Sequence, residues 1–340
     1  MNSWIIFLLS AAVIILAGTK LSHYGDQIAE LTGLGGLWVG MVLLAGATSL
    51  PELLTDISAI WLQAPDLAVG DLFGSNMANM LILAIIDLFH REKRVWQQAA
   101  YEHTLTAALA IALTGLAGIF IFCRVNVELW GVGLGSILIA IIYVFGMRVV
   151  YRQEDMRRRQ RERERMVEAG DRDHDAILSS RTHLQRASIG FAVAAFVIVL
   201  AAPFLATSAK AIAEETGIGT TFIGTSLVAA ATSLPELVSS LAAVRLGAFD
   251  LAVGNLFGSN ALNMGMLFLL DVVQHPGPLL SVVSVTHTVA ALIAILLMSI
   301  GLMGIIYRAE KRFLFIEPDS ALMILSYALG MWALFHLGGE

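Results

Sequence analysis

The stretch Thr48-Ser49-Leu50-Pro51-Glu52 sets two hydroxyls, a proline and a carboxylate side by side in an otherwise apolar run. On a helix, Thr48 and Glu52 stand four apart and Ser49 lies three before Glu52, so all three share one face. Further on, Ser75 and Asn79 are also four apart, and the whole pattern returns as Thr232, Ser233, Pro235 and Glu236, followed by Ser259 and Asn263. A proline cannot donate to the carbonyl four residues back, so Pro51 releases the oxygen of Ala47 and Pro235 that of Ala231. Carboxylates, hydroxyls, amide oxygens and released carbonyls make a donor set without nitrogen or sulfur. That set suits Ca²⁺, which takes roughly 6–8 oxygens at about 2.3–2.6 Å, and Na⁺ by the same hardness. Two carboxylates neutralise one Ca²⁺ or hold a small number of Na⁺. The two occupancies exclude each other, which is the physical basis of exchange.

The elements that must position these groups are membrane helices. Of 340 residues, 57% are hydrophobic and 14% charged, with a mean hydropathy of +0.77, outside the range of soluble domains. Apolar runs predict ten spans, at 4–19, 37–60, 67–89, 99–122, 129–150, 189–213, 220–244, 251–273, 279–306 and 321–337. The first run lacks a basic flank and a small-residue cleavage site, so it reads as a membrane helix rather than a signal peptide. Cys123 is the only cysteine, which excludes an internal disulfide and a thiolate metal cluster. In such a chain, Glu52 and Glu236 would each cost about 2.5–3.5 kcal/mol at a bilayer centre. A structural role alone rarely justifies that cost.

Adding 184 to a residue number maps the first half onto the second without a gap, and 23 of 36 positions are identical between Ala45–Met80 and Ala229–Met264. Five helices per half is an odd number, so the second copy must enter the membrane inverted. The expected fold is an all-α polytopic membrane protein of ten transmembrane helices in two inverted five-helix repeats. Repeat one is expected at 1–151 and repeat two at 187–340, joined by an Arg-rich linker at 152–186. Inverted repeats mark secondary transporters whose site lies near the midplane between the copies. The linker carries most of the arginines and is expected to be cytoplasmic, solvated and partly helical. That parity places His90–Arg94 and Tyr307–Arg312 inside and both termini outside.

With these residues in view, the sequence resembles the cation/calcium antiporter superfamily, most closely the sodium/calcium exchanger branch and its prokaryotic members. The resemblance rests on "GATSLPE" with "GSNMANM" and "AATSLPE" with "GSNALNM", and the repeat extends it over nearly the whole chain. It implies that Glu52 and Glu236 bind Ca²⁺ and Na⁺ in turn. Thr48, Thr232, Ser49, Ser233, Ser75 and Ser259 would add oxygens, with backbone carbonyls near Ala45 and Ala229, and Asn79 and Asn263 would take central polar positions. It further implies alternating access, usually three Na⁺ against one Ca²⁺, with the first and sixth helices sliding past a rigid core, in a prokaryotic inner (plasma) membrane. Some prokaryotic relatives hold an aspartate where Asn263 stands, which argues against proton coupling through that position.

Symmetry fails at two acids. Asp56, one turn past Glu52, faces Ser240 in the alignment of halves, and Asp71, one turn before Ser75, faces Asn255. Both are expected toward the outside, as an acidic outer vestibule that concentrates cations. His103 and His287 correspond across the halves and read as hydrogen-bonded helix starts, while "DRDHD" at 171–175 lacks the glycine and glutamate of a calcium loop. The alternative function keeps the fold and exchanges Ca²⁺, or Mn²⁺ or Mg²⁺, for H⁺; Mg²⁺ sheds water reluctantly, which argues against it. No nucleophile with a matched base and no H-E-x-x-H spacing supports an enzyme, and no cofactor is expected. A passive channel fits a midplane site between inverted repeats less well. The expected partners are the two ions and the bilayer, with no nucleic acid and no obligate protein partner.

Overall fold

The computed structural model describes residues 2–89, 103–168, 174–215, 232–274, 277–307 and 318–337. Within them the helices are α1 (Asn2–Thr32), α2 (Gly36–Trp61), α3 (Pro65–Phe89), α4 (His103–Cys123), α5 (Leu134–Glu168), α6 (His174–Glu215), α7 (Leu234–Arg245), α8 (Phe249–Val273), α9 (His287–Tyr307) and α10 (Pro318–Leu337). Eight of them, α1 to α6, α8 and α9, are long and apolar enough to cross a bilayer.

The burial pattern separates core from lipid-facing helices. α3 and α8 are buried along most of their length, and Leu72, Phe73, Met80, Leu256, Phe257 and Met264 have no exposed surface. α6 instead leaves Ile189, Val193, Phe196, Leu200 and Phe204 exposed, at spacings of three and four that trace one helical stripe. An apolar stripe of that length on the outside requires an apolar solvent. α1 packs along α6, and α4 packs against both α8 and α9. In the described part of the linker, α5 runs on past its apolar part, Leu134–Met156, and α6 begins well before its own, Thr182–Ala209.

Two predicted spans are corrected. The fifth does not begin at residue 129, because Glu128–Leu129 and Val132–Gly133 pair as a small antiparallel hairpin and α5 starts at Leu134. The ninth is broken: a short turn, Leu279–Val282, is followed by extended Val283, and α9 starts at His287. Two acids, buried Asp271 and exposed Asp66, take up the backbone groups these breaks release. Asp271 accepts from the N–H of Leu279 (2.7 Å) and of Gly133 (3.0 Å), and Asp66 accepts from the N–H of Ser284 (2.6 Å). Apolar periodicity carries no sign of such capping, so a continuous helix is the natural first reading. The first and sixth spans are longer than predicted, since α1 and α6 extend through polar residues that need not lie in lipid.

α2 is not a uniform helix. Val39–Leu44 form a π-helical segment before the α-helical part, Ala45–Trp61, and single wide turns of this kind recur at functional sites. It coincides with close packing against α8. A Cβ on Gly40 would collide with the carbonyl oxygen of Leu251, and one on Gly258 would sit 2.6 Å from Cα of Met41. Only glycines let the two backbones approach this closely. Pro51 lies inside the helix that follows. Pro235 does not repeat that placement: Ser233 leaves helical geometry (φ −85°, ψ 4°) and α7 begins anew at Leu234.

Candidate cation site

Two copies of the polar motif meet where α2, α3, α7 and α8 converge. Thr48, Ser49, Glu52, Ser75, Asn79, Glu236, Ser259 and Asn263 are fully buried, and Thr232 and Ser233 nearly so. Ala45 is buried too, and its carbonyl accepts from the Thr48 hydroxyl (3.3 Å). Ala229 lies outside the described residues, as do His90–Arg94, most of Tyr307–Arg312 and the acidic side chains at 171–175.

The contacts cross between halves. The Ser49 hydroxyl donates to Oε1 of Glu236 (3.4 Å) and to Oγ of Ser259 (3.2 Å), and Thr48 is also in hydrogen-bonding reach of Glu236. Glu52 receives the Ser75 hydroxyl on Oε1 (2.8 Å) and is within reach of Asn263. Each carboxylate is therefore held partly by the other half's residues. What remains unfilled is specific: Oε2 of Glu52, Oε2 of Glu236, Oδ1 of Asn79, Oδ1 of Asn263 and Oγ of Ser233 are buried without a hydrogen-bond partner. The first four form two pairs related by the 184-residue offset. Orphaned buried acceptors cost free energy, and a hard cation satisfies such oxygens together. Among the described residues no three Asp, Glu, His or Cys side chains cluster into a metal centre by themselves, so neutral oxygens must complete any coordination shell around the two glutamates.

Two residues that sequence reasoning passed over hold this arrangement. Asn76 Nδ2 donates to the Asn260 carbonyl (3.4 Å), and Asn260 Nδ2 donates to the Asn76 carbonyl (3.4 Å). Asn79 Nδ2 donates to Oδ1 of Asn260 (2.9 Å), and Asn263 Nδ2 donates to Oδ1 of Asn76 (3.2 Å). Every bond has its two-fold partner at the same offset. The signal was present as the asparagine of "GSN" in both motif copies, three before Asn79 and Asn263. By engaging the N–H of Asn79 and Asn263, the inner asparagines leave the carbonyl oxygens of those two amides unpartnered.

The same offset recurs away from the centre. His103 Nε2 donates to Oδ1 of Asp250 (3.1 Å) and His287 Nε2 to Oδ1 of Asp66 (3.0 Å). Each histidine opens a helix and ties it to the other half, a structural use that accounts for their correspondence. Asp56 does not line an open vestibule: it is 1% exposed and lies within reach of Asp71.

A helical membrane core with paired carboxylates, hydroxyls and amide oxygens held between two sequence copies defines a cation transporter of the antiporter class. The family model "Sodium/calcium exchanger protein" matches residues 2–149 and 187–336, leaving out little besides the linker. The chain belongs to the sodium/calcium exchanger protein family. Relatives include the "Sodium/calcium exchanger MaX1" of Methanosarcina acetivorans, 28% identical over 96% of this chain and 99% of that protein. The "Inner membrane protein YrbG" of Escherichia coli is 24% identical over 78% of each chain. Among solved structures, the sodium-calcium exchanger NCX_Mj soaked with 10 mM Na⁺ and zero Ca²⁺ superimposes with a TM-score of 0.73 at 18% identity, covering 98% of both chains. That likeness establishes the fold.

Proposed function

We propose that the protein exchanges Ca²⁺ for Na⁺ across the membrane by alternating access, both ions competing for the oxygens of Glu52 and Glu236. Thr48, Thr232, Ser49, Ser233, Ser75, Ser259, Asn79 and Asn263 complete the site, with the carbonyls near Ala45 and Ala229. The observation that carries this reading is the set of four two-fold-related oxygens, on Glu52, Glu236, Asn79 and Asn263, buried and without partners. Two carboxylates balance one Ca²⁺, and the same oxygens serve several Na⁺ at separate positions. The topology proposed is ten crossings in two inverted halves, both termini outside and 152–186 in the cytoplasm of a prokaryotic cell. α1 and α6, packed side by side on the periphery, are the elements proposed to slide, since neither contributes a ligand.

The driving ion is testable directly. Purified protein in liposomes should take up Ca²⁺ when an outward Na⁺ gradient is imposed, and should not when the only gradient is of pH. Uptake driven by the pH gradient alone would replace Na⁺ by H⁺ in this reading.

A further inference from the structure

Asp56 and Asp71 break the symmetry of the halves in a chemically pointed way. At the corresponding place in repeat two, Asn255 Nδ2 donates to Oγ of Ser240 (2.9 Å) and to Oγ of Ser239 (3.2 Å). In repeat one the contact is kept, Asp56 and Asp71 lying within hydrogen-bonding reach of each other, but the amide donor is gone and both partners are acids. A bond that needs a hydrogen in one half faces two acceptors in the other.

The surroundings supply no compensation. Asp56 is 1% exposed, and Oδ2 of Asp56 and Oδ2 of Asp71 are both buried without a partner. The charged side chains that act on the pair are themselves acids, Glu52 one turn back on α2 and Glu236 on α7; among the described residues no Lys, Arg or His faces it. Two bare carboxylates in contact repel strongly where water is excluded, in addition to the cost of burying each. The pair is therefore stable only with a positive charge between its oxygens.

We propose that Asp56 and Asp71 form a further cation site, separate from the oxygens shared by Glu52 and Glu236, that takes one small hard monovalent cation, Na⁺ or a proton. Along the chain the pair stands four residues from Glu52 and four from Ser75, one helical turn from each. In the proposed topology it lies on the outward side of Glu52. Its counterpart on the inward side is the neutral Asn255–Ser240 pair, so the site exists on one side only, and a cation there stands next to ions entering from outside.

The test uses the purified full-length protein and its double variant D56S/D71N, which rebuilds the neutral pair of repeat two and so restores the missing donor. Melting temperature is followed in two arms: against Na⁺, with choline as replacement, at high fixed pH, and against pH without Na⁺. A cation bound by the native state raises the melting temperature with its concentration. The parent should show a steeper dependence than the double variant in one arm, by the equivalent of one bound cation. A difference in the Na⁺ arm identifies Na⁺, and one in the pH arm identifies a proton. Equal slopes in both arms overturn the proposal. If the double variant does not fold, Asp56→Asn, which also supplies one N–H, takes its place with the same expected loss of slope. Ca²⁺ uptake by the parent under a Na⁺ gradient is measured alongside, so absence of exchange counts against the proposed function while the titrations still decide the pair.

Discussion

Glu236→Gln should lower Ca²⁺ affinity by about 100-fold or more while leaving the protein folded. The glutamine keeps the shape of the side chain and an oxygen for the Ser49 hydroxyl, which donates to Oε1 at 3.4 Å. What it removes is the charge on a carboxylate whose Oε2 is buried and unpartnered. Losing one partner of a desolvated charge pair costs about 2–5 kcal/mol, and 2.7 kcal/mol is about a factor of 100. Stability should move the other way or stay level, because a buried carboxylate is itself expensive in a membrane. Glu52→Gln should behave alike, since the Ser75 hydroxyl keeps its acceptor on Oε1. Equilibrium ⁴⁵Ca²⁺ binding and thermal melting of the same samples give both readouts. Retained affinity in either variant would remove the glutamates from the site.

The second large effect is on stability. Asn260→Leu should destabilise the protein by about 2–5 kcal/mol, because it deletes the acceptor for Asn79 Nδ2 and the donor to the Asn76 carbonyl at once. Interhelical hydrogen bonds in membranes average about 0.6 kcal/mol, and each polar group left buried and unsatisfied adds about 1–3 kcal/mol. The two-fold relation makes a sharper demand: Asn76→Leu should cost the same, since Asn76 plays the identical part toward Asn263 and the Asn260 carbonyl. Reversible unfolding in mixed detergent micelles measures both. A large loss from one substitution and none from the other would mean that the halves do not share the load.

Much of this was legible in the sequence because membrane burial makes polar residues conspicuous. Glu52 and Glu236 stand out against their apolar neighbours, and the 184-residue offset paired them before any contact was known. The offset also matched His103 to His287, and the structure uses both in the same bond to an aspartate of the other half. Three features were not legible. Asn76 and Asn260 sit among glycines and serines whose usual role is close packing, so their cross-half bonds are apparent only once α3 and α8 are side by side. The break before His287 depends on Asp271 turning to the Leu279 N–H and on Asp66, from the other half of the chain, reaching the Ser284 N–H, neither of which apolar periodicity encodes. The π-helical turn at Val39–Leu44 lies where Gly40 packs against the Leu251 carbonyl, a tertiary contact that helical periodicity cannot reveal. Asp56 illustrates a different limit, because its distance past Glu52 along the helix suggested an outward, hydrated place while α3 in fact buries it against Asp71.

The central claim is that one site between the halves serves two ions in alternation, and obligatory exchange tests it most directly. Liposomes containing the protein are loaded with ⁴⁵Ca²⁺ and diluted into Na⁺, into unlabelled Ca²⁺, or into K⁺, with EGTA present in the Na⁺ and K⁺ media. Label should leave in the first two media and stay in the third, and Glu52→Gln should hold it in all three. Equal efflux into K⁺ would mean that Ca²⁺ passes without a counter-ion, and the shared alternating site would be contradicted.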